Sequence, residues 1–141
     1  MMSTSSDKTK LRDAIDAARE RGRKLSAELL AGEEMKTSEE FAALLGVSVA
    51  TVNSKRRRGE LLGLKGAVKG YRFPIWQLKE DGKTYGTLVE LHERLGGSWS
   101  VYRLLKQQHG ELDGLTGLEA LQKGQENQVL DLAETVGRDF S

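Results

Sequence analysis

The apolar positions of this chain fall in short blocks, most of them with helical spacing. Leu11, Ile15, Ala18, Leu25 and Leu29 recur at alternating four- and three-residue steps once Gly22 is counted as the missing member. That heptad-like stripe predicts a helix that either packs on its own domain or forms a dimer seam. "AGEEMKT" breaks it. Thr37 with Glu40 three residues on forms a capping box, which predicts a short helix over 38–45 with Phe41, Leu44 and Leu45 inward. Gly46 ends that helix, because glycine takes the left-handed conformation of a tight stop at no steric cost. Ser48 then caps a second helix running to about Arg58, with Val49 and Val52 inward, and Gly59 stops it.

After Gly59, "LLGL", "KGAVKG" and "YRFP" read as strand, turn and strand, a small hairpin ended by Pro74. Tyr71, Phe73 and Ile75 show the alternation of a half-buried strand. "LKEDGKT" reads as a polar loop turning at Asp81-Gly82. The second half is helical by pattern. Tyr85, Leu88, Val89, His92 and Leu95 share one face, and Ser98 is expected to cap a helix carrying Trp99, Val101, Tyr102, Leu104 and Leu105. "HGELDGLTG" reads as a loop. Thr116 then caps a short helix with Leu118 and Leu121, broken near Gly124, and a last helix over about 125–136 turns Val129, Leu130, Ala133 and Val136 inward. The fold class predicted is mainly α: a helix-turn-helix with a small β-hairpin or wing, followed by a C-terminal helical domain. The expected organisation is a tail and helix over 1–34, a candidate for dimerisation. The helix-turn-helix and hairpin then take 35–80, and the C-terminal helices 81–141.

Charge changes this picture through its distribution. The whole chain has 22 basic and 21 acidic residues. Within 51–72, however, the seven cations Lys55, Arg56, Arg57, Arg58, Lys65, Lys69 and Arg72 meet one anion, Glu60, a net of +6. Within 110–141, Lys123 and Arg138 meet seven anions, Glu111, Asp113, Glu119, Glu126, Asp131, Glu134 and Asp139, a net of −5. Such asymmetry points to two surfaces with different partners.

The basic stretch coincides with the helix-turn-helix pattern. In such a motif one helix braces and the second enters the major groove, across a short turn that often contains glycine. Here 38–45 is the brace and Ser48–Arg58 the reader. Its outer positions Ser48, Ala50, Thr51, Asn53 and Ser54 are small or polar. Asparagine can make paired hydrogen bonds to adenine, and Thr or Ala methyls touch the thymine methyl. Lys55 to Arg58 suit phosphates and sit at the negative end of the helix dipole. Lys65, Lys69 and Arg72 on the hairpin are placed to reach flanking backbone. The expected activity is binding of double-stranded DNA at an operator; an RNA-binding or protein-binding role, or an ordinary solvated basic helix, is the alternative for the same residues.

"TSEEFAALLGVSVATVNSKRRRGELLGL" followed by "GYRFPIWQL" resembles the DNA-binding half of antitoxins of the Xre/MbcA/ParS group. "LDGLTGLEALQKGQENQVLDLAE" resembles that group's C-terminal toxin-binding domain, matching its pattern at Gly114, Thr116, Leu118, Leu121, Gly124 and Val129. It departs at Leu115, where a basic residue is common, and at Gly117, where proline is common. The resemblance implies a type II antitoxin that neutralises a cognate toxin, often an NAD-consuming Res-domain enzyme, and represses its own operon as a dimer or a larger toxin complex. It implies partner contacts through Leu115, Thr116, Leu118, Glu119, Gln125, Glu126 and Asp139. A stand-alone phage- or plasmid-borne regulator whose C-terminal half oligomerises is the alternative.

Other chemistry finds little footing. Cysteine is absent, which excludes disulfides and thiolate sites and fits a reducing cytoplasm. His92 and His109 lack the spacing of a helical zinc pair, and no phosphate-binding loop, dinucleotide fingerprint or nucleophile elbow occurs. Glu111 and Asp113 read as loop residues rather than an acid–base pair, and Trp76 and Trp99 as core rather than base-stacking platforms. Neither an enzymatic activity nor a cofactor or metal is expected. "MMSTSSDKTK" has no apolar signal core and no run approaches a membrane span, so a cytoplasmic protein is expected.

Overall fold

The computed structural model describes residues 3–66 and 68–139, with side chains described from residue 8 to residue 138. The chain is mainly helical with one small antiparallel sheet. In order it forms α1 (Ser3–Leu30), β1 (Met35–Lys36), α2 (Ser38–Leu45), α3 (Val49–Arg57), β2 (Phe73–Pro74), α4 (Thr87–Leu95), α5 (Ser98–Lys106), α6 (Gly117–Gln122) and α7 (Glu126–Asp139), with 3-10 turns at Ile75–Gln77 and Gly110–Leu112. No helix among the described residues is long and apolar enough to cross a membrane.

Local chemistry sets the helix ends. Thr37 Oγ1 accepts from the Glu40 N–H at 3.1 Å while the Glu40 carboxylate accepts from the Thr37 N–H at 2.9 Å. Thr116 and Glu119 repeat this box at 3.0 and 2.8 Å. Three helices stop in the same way. Gly46, Gly59 and Gly124 take φ of 72°, 79° and 79°. The next residue's N–H then reaches back five residues, from Val47 to Ala42, from Glu60 to Lys55 and from Gln125 to Ala120. These are Schellman stops, and the positive φ is what requires glycine.

The hairpin predicted after Gly59 narrows to one bridging pair, Leu64 and Arg72, which exchange both backbone hydrogen bonds at 2.8 Å. Its second strand instead finds a partner upstream, with Met35 opposite Pro74 and Lys36 opposite Phe73. The polar loop is itself closed by a bridge between Leu78 and Thr84.

Two apolar clusters form. The smaller one holds Phe41, Ala42, Val52, Leu61 and Phe73, with the Phe41 and Phe73 rings stacked at 5.2 Å. The larger one joins Leu30, Met35, Leu62 and Leu64 to Leu88, Leu91, Val101, Leu104, Leu105, Leu121, Val129 and Ala133. It therefore draws on all three sequence segments. The segment 61–64 passes between the clusters, and Gln77 holds it there. The Gln77 side chain is 1% exposed; its oxygen accepts from the Leu62 N–H and its amide donates to the Leu62 carbonyl, both at 2.8 Å, and to the Pro74 carbonyl at 3.1 Å.

Several expected positions move. Leu44 is 49% exposed and Val49 36% exposed. In α2 the inward face passes through Phe41, Ala42 and Leu45, roughly 100° around the helix from Leu44. Gly97, not Ser98, occupies the N-cap of α5 and makes no side-chain capping bond. Leu112, placed in a loop by its polar neighbours, is buried in a 3-10 turn, and Leu132 joins the buried face of α7. The stripe on α1 does not pack on the body: Leu11 and Leu25 are 62% and 60% exposed, whereas Leu30 is buried.

Replacing Gln77 with Leu keeps the volume but leaves the Leu62 N–H and C=O buried and unpaired. Chemical denaturation should show a loss of about 2–3 kcal/mol.

Candidate nucleic-acid interface

The helix-turn-helix is present as a local unit. Three residues, Gly46, Val47 and Ser48, link α2 to α3. Ser48 Oγ accepts from the Thr51 N–H at 3.1 Å and so starts α3. Val52 is fully buried and anchors α3 to Phe41 and Phe73. Rotation by 100° per residue then fixes what faces outward. Ala50, Ser54 and Arg57 lie opposite Val52, flanked by Thr51, Asn53 and Arg58. Ser48 and Ala50 are exposed, and Thr51, Asn53 and Ser54 are half-buried. The Ser48 and Thr51 hydroxyls lie 3.0 Å apart and share a hydrogen bond, so both are partly engaged. The Asn53 amide makes no hydrogen bond within the described residues.

The four consecutive cations do not act alike. Four successive residues spread around a helix, so only part of the run faces solvent. Arg57 is exposed and forms no ion pair among the described residues. Arg56 turns inward: its guanidinium carbon lies 3.8 Å from the Tyr71 ring centroid. Its stem runs so close to Gly63 that a Cβ there would lie 2.7 Å from Arg56 Cδ and 2.9 Å from the Phe73 ring. Arg58 and Lys55 both pair with Glu60, the latter at 3.7 Å. Within the run expected to suit phosphates, Arg57 is thus the most open cation, Arg58 and Lys55 are partly neutralised by Glu60, and Arg56 is stacked on Tyr71.

Tyr71, which the sequence pattern marked only as a strand residue, gathers the basic elements. Arg56 from α3 and Lys65 from the loop, at 5.6 Å, both lie over its ring. Lys65 and Lys69 are exposed. Arg72 is half-buried, and its guanidinium donates to the Lys69 and Tyr71 carbonyls at 3.1 Å, so it shapes the turn. The base of this loop is tied to the C-terminal helices by Trp99, whose indole N–H donates to the Lys65 carbonyl at 2.8 Å.

The acidic end is built differently. Thr116 is spent on the capping box, Glu119 and Glu126 are exposed, and Leu115, Leu118 and Gln125 are half-buried. The side chain of Asp139 lies outside those described. His92 Nδ1 lies 2.8 Å from the Leu88 carbonyl and His109 Nε2 lies 2.8 Å from the Leu104 carbonyl, so each ring is engaged by a helix carbonyl, of α4 and α5 respectively.

No family model matches the chain, and no curated protein matches it. Among solved structures, an NMR structure of Rv2175c is similar in fold. The TM-score is 0.64 at 23% identity, covering 76% of this chain and 83% of that one. At that identity the likeness concerns the fold alone.

Three carboxylates have pKa values held below their ordinary range. For Glu40 and Glu119 the first cause is the backbone hydrogen bond of the capping Thr37 or Thr116, and for Glu60 it is the hydrogen bond from Arg58. A folded-state pKa below the unfolded value contributes stability above the unfolded pKa, and that contribution is lost as pH falls through the folded one. Melting temperature should therefore decline as pH drops through and below the ordinary carboxylate range. The combined Glu40→Gln, Glu119→Gln variant should show a shallower decline in the same thermal scans.

Proposed function

We propose that the chain binds double-stranded DNA, with α3 in the major groove and the loop 65–72 against the flanking backbone. The observation that carries this reading is that α3 is anchored along one side, by Val52 and the inward-turned Arg56, with Ala50, Ser54 and Arg57 on the opposite face and Lys65 and Lys69 exposed on the following loop. Small outward side chains let a helix approach base edges closely, and unpaired cations at its end meet phosphates. Asn53 is the side chain best equipped to read adenine, because its donor and acceptor are uncommitted. Anisotropy titration of a duplex selected from a random pool tests this. Arg57→Ala and Lys69→Ala should each weaken binding to every duplex and reduce the salt-dependence slope by about 1. Asn53→Ala should shift preference among sites by roughly 1–3 kcal/mol. Arg56→Ala should lower stability as well as affinity. Unchanged affinity in the Arg57 and Lys69 variants at low salt would exclude the phosphate role.

The narrower form of the proposal is an antitoxin and autorepressor whose acidic C-terminal helices cover a toxin, a Res-type enzyme in the resembled group. It is supported by the motif around Thr116 and by the exposed Glu119 and Glu126. A stand-alone regulator is the competing form. Because α4–α7 share a core with Leu62 and Leu64, deleting them would unfold the DNA-binding part. Surface substitution is the usable test. In a growth-rescue assay against the product of the adjacent gene, Glu126→Lys should abolish protection while leaving DNA affinity intact. Full rescue by that variant would remove Glu126 from the toxin contact, and no toxicity from the neighbour would favour the regulator.

A further inference from the structure

The longest element of the chain has almost nothing to pack against. Helix α1 spans 28 residues, and its residues from Lys8 to Leu25 are exposed. Among the described side chains it is covered by the body near its C-terminal end, where Ser26 and Ala27 are half-buried and Leu30 is 1% exposed. Isolated helices are marginal in water and draw most of their stability from a packed apolar face. The apolar face of α1 is Leu11, Ile15, Ala18, Leu25 and Leu29, with exposures of 62%, 42%, 60% and 42% for the four large residues. These positions lie roughly 100° around the helix from the face formed by Ser26, Ala27 and Leu30. The body therefore does not cover the stripe.

We infer that α1 is the dimerisation element, pairing with α1 of a second copy as a parallel two-stranded coiled coil. Spacing of four and three puts Leu11, Ala18 and Leu25 at d and Ile15, Gly22 and Leu29 at a, the seam that identical helices bury on one another. Charge selects the occupant and the orientation. Asp13, Asp16 and Glu20 are interspersed with the cations of the outer face, so this is neither the one-sign surface of a lipid-binding helix nor that of a DNA arm. In a parallel pair the flanking g and e positions bring Arg19 beside Ala14 of the other copy and Arg21 beside Ser26. In an antiparallel pair of the same seam, Arg19 meets its own copy and so does Arg21, which is repulsive. A parallel pair also places both α3 helices at the same end of the stalk, as two operator half-sites require. The dimer itself does not depend on the DNA-binding reading.

The natural chain has no cysteine, so one introduced thiol reports orientation without background. Full-length Ala18→Cys should form an intermolecular disulfide under mild oxidation, because facing d positions lie within disulfide range in a parallel pair. Mixing Ala18→Cys with Gly22→Cys chains should give far less of the mixed product. Sedimentation equilibrium of the unmodified chain should return a two-chain mass. The double variant Leu11→Lys, Leu25→Lys should return a one-chain mass with the thermal transition of the body retained, since both side chains are more than half exposed. Gly22→Leu, which meets nothing within 4 Å, should tighten the pair. A one-chain mass for the unmodified protein at its highest soluble concentration overturns the inference. So does preferential Ala18→Cys to Gly22→Cys cross-linking, which marks an antiparallel pair, or a two-chain mass that survives the Leu11→Lys, Leu25→Lys change.

Discussion

The hydrogen bonds between the Gln77 side chain and both backbone groups of Leu62 are the constraint on which the rest of the structure depends. Leu61 belongs to the small cluster under the helix-turn-helix, and Leu62 and Leu64 to the large cluster of the C-terminal helices. A chain crossing between two cores cannot give its peptide groups to water. One buried amide, with a donor and an acceptor side by side, satisfies the crossing point. Because Gln77 also bonds the Pro74 carbonyl, the same side chain fixes β2 relative to the crossing. At this crossing, the segment that follows α3 is held against the C-terminal helices by a buried polar contact flanked by apolar packing on both sides.

The parts of this architecture legible in the sequence are those decided within a few residues. Thr37 with Glu40, Gly46, Ser48, Gly59 and Thr116 each specify a helix end through bonds spanning three to five residues. What was not legible is settled at a distance. The pairing of Met35–Lys36 with Phe73–Pro74 joins segments that carry no shared pattern. Leu112 is buried by α7 although its neighbours are a glycine, a glutamate and an aspartate. In the candidate interface, the outward residues of α3 are legible from helical rotation. The same rotation separates Arg57 from Arg56; only the identity of the aromatic partner, Tyr71, needs the fold.

The charge asymmetry of the sequence is moderated locally. Glu60, the single anion of the basic stretch, takes two of its seven cations, and Tyr71 takes a third face-on. What reaches solvent uncommitted is a narrower set on α3 and the following loop. Under the DNA-binding proposal, that arrangement would limit non-specific attraction to polyanions, which grows with every exposed cation, and leave the open face of α3 to discriminate.

The bond from the Trp99 indole to the Lys65 carbonyl has an optical consequence. An indole's emission depends on the polarity around it and on what its N–H donates to. Trp99 is held at the base of the basic loop by that donation, while Trp76 packs among Tyr102 and Lys106. The chain thus carries, in its own residues, a fluorophore whose colour is tied to the posture of the loop, readable without any attached dye.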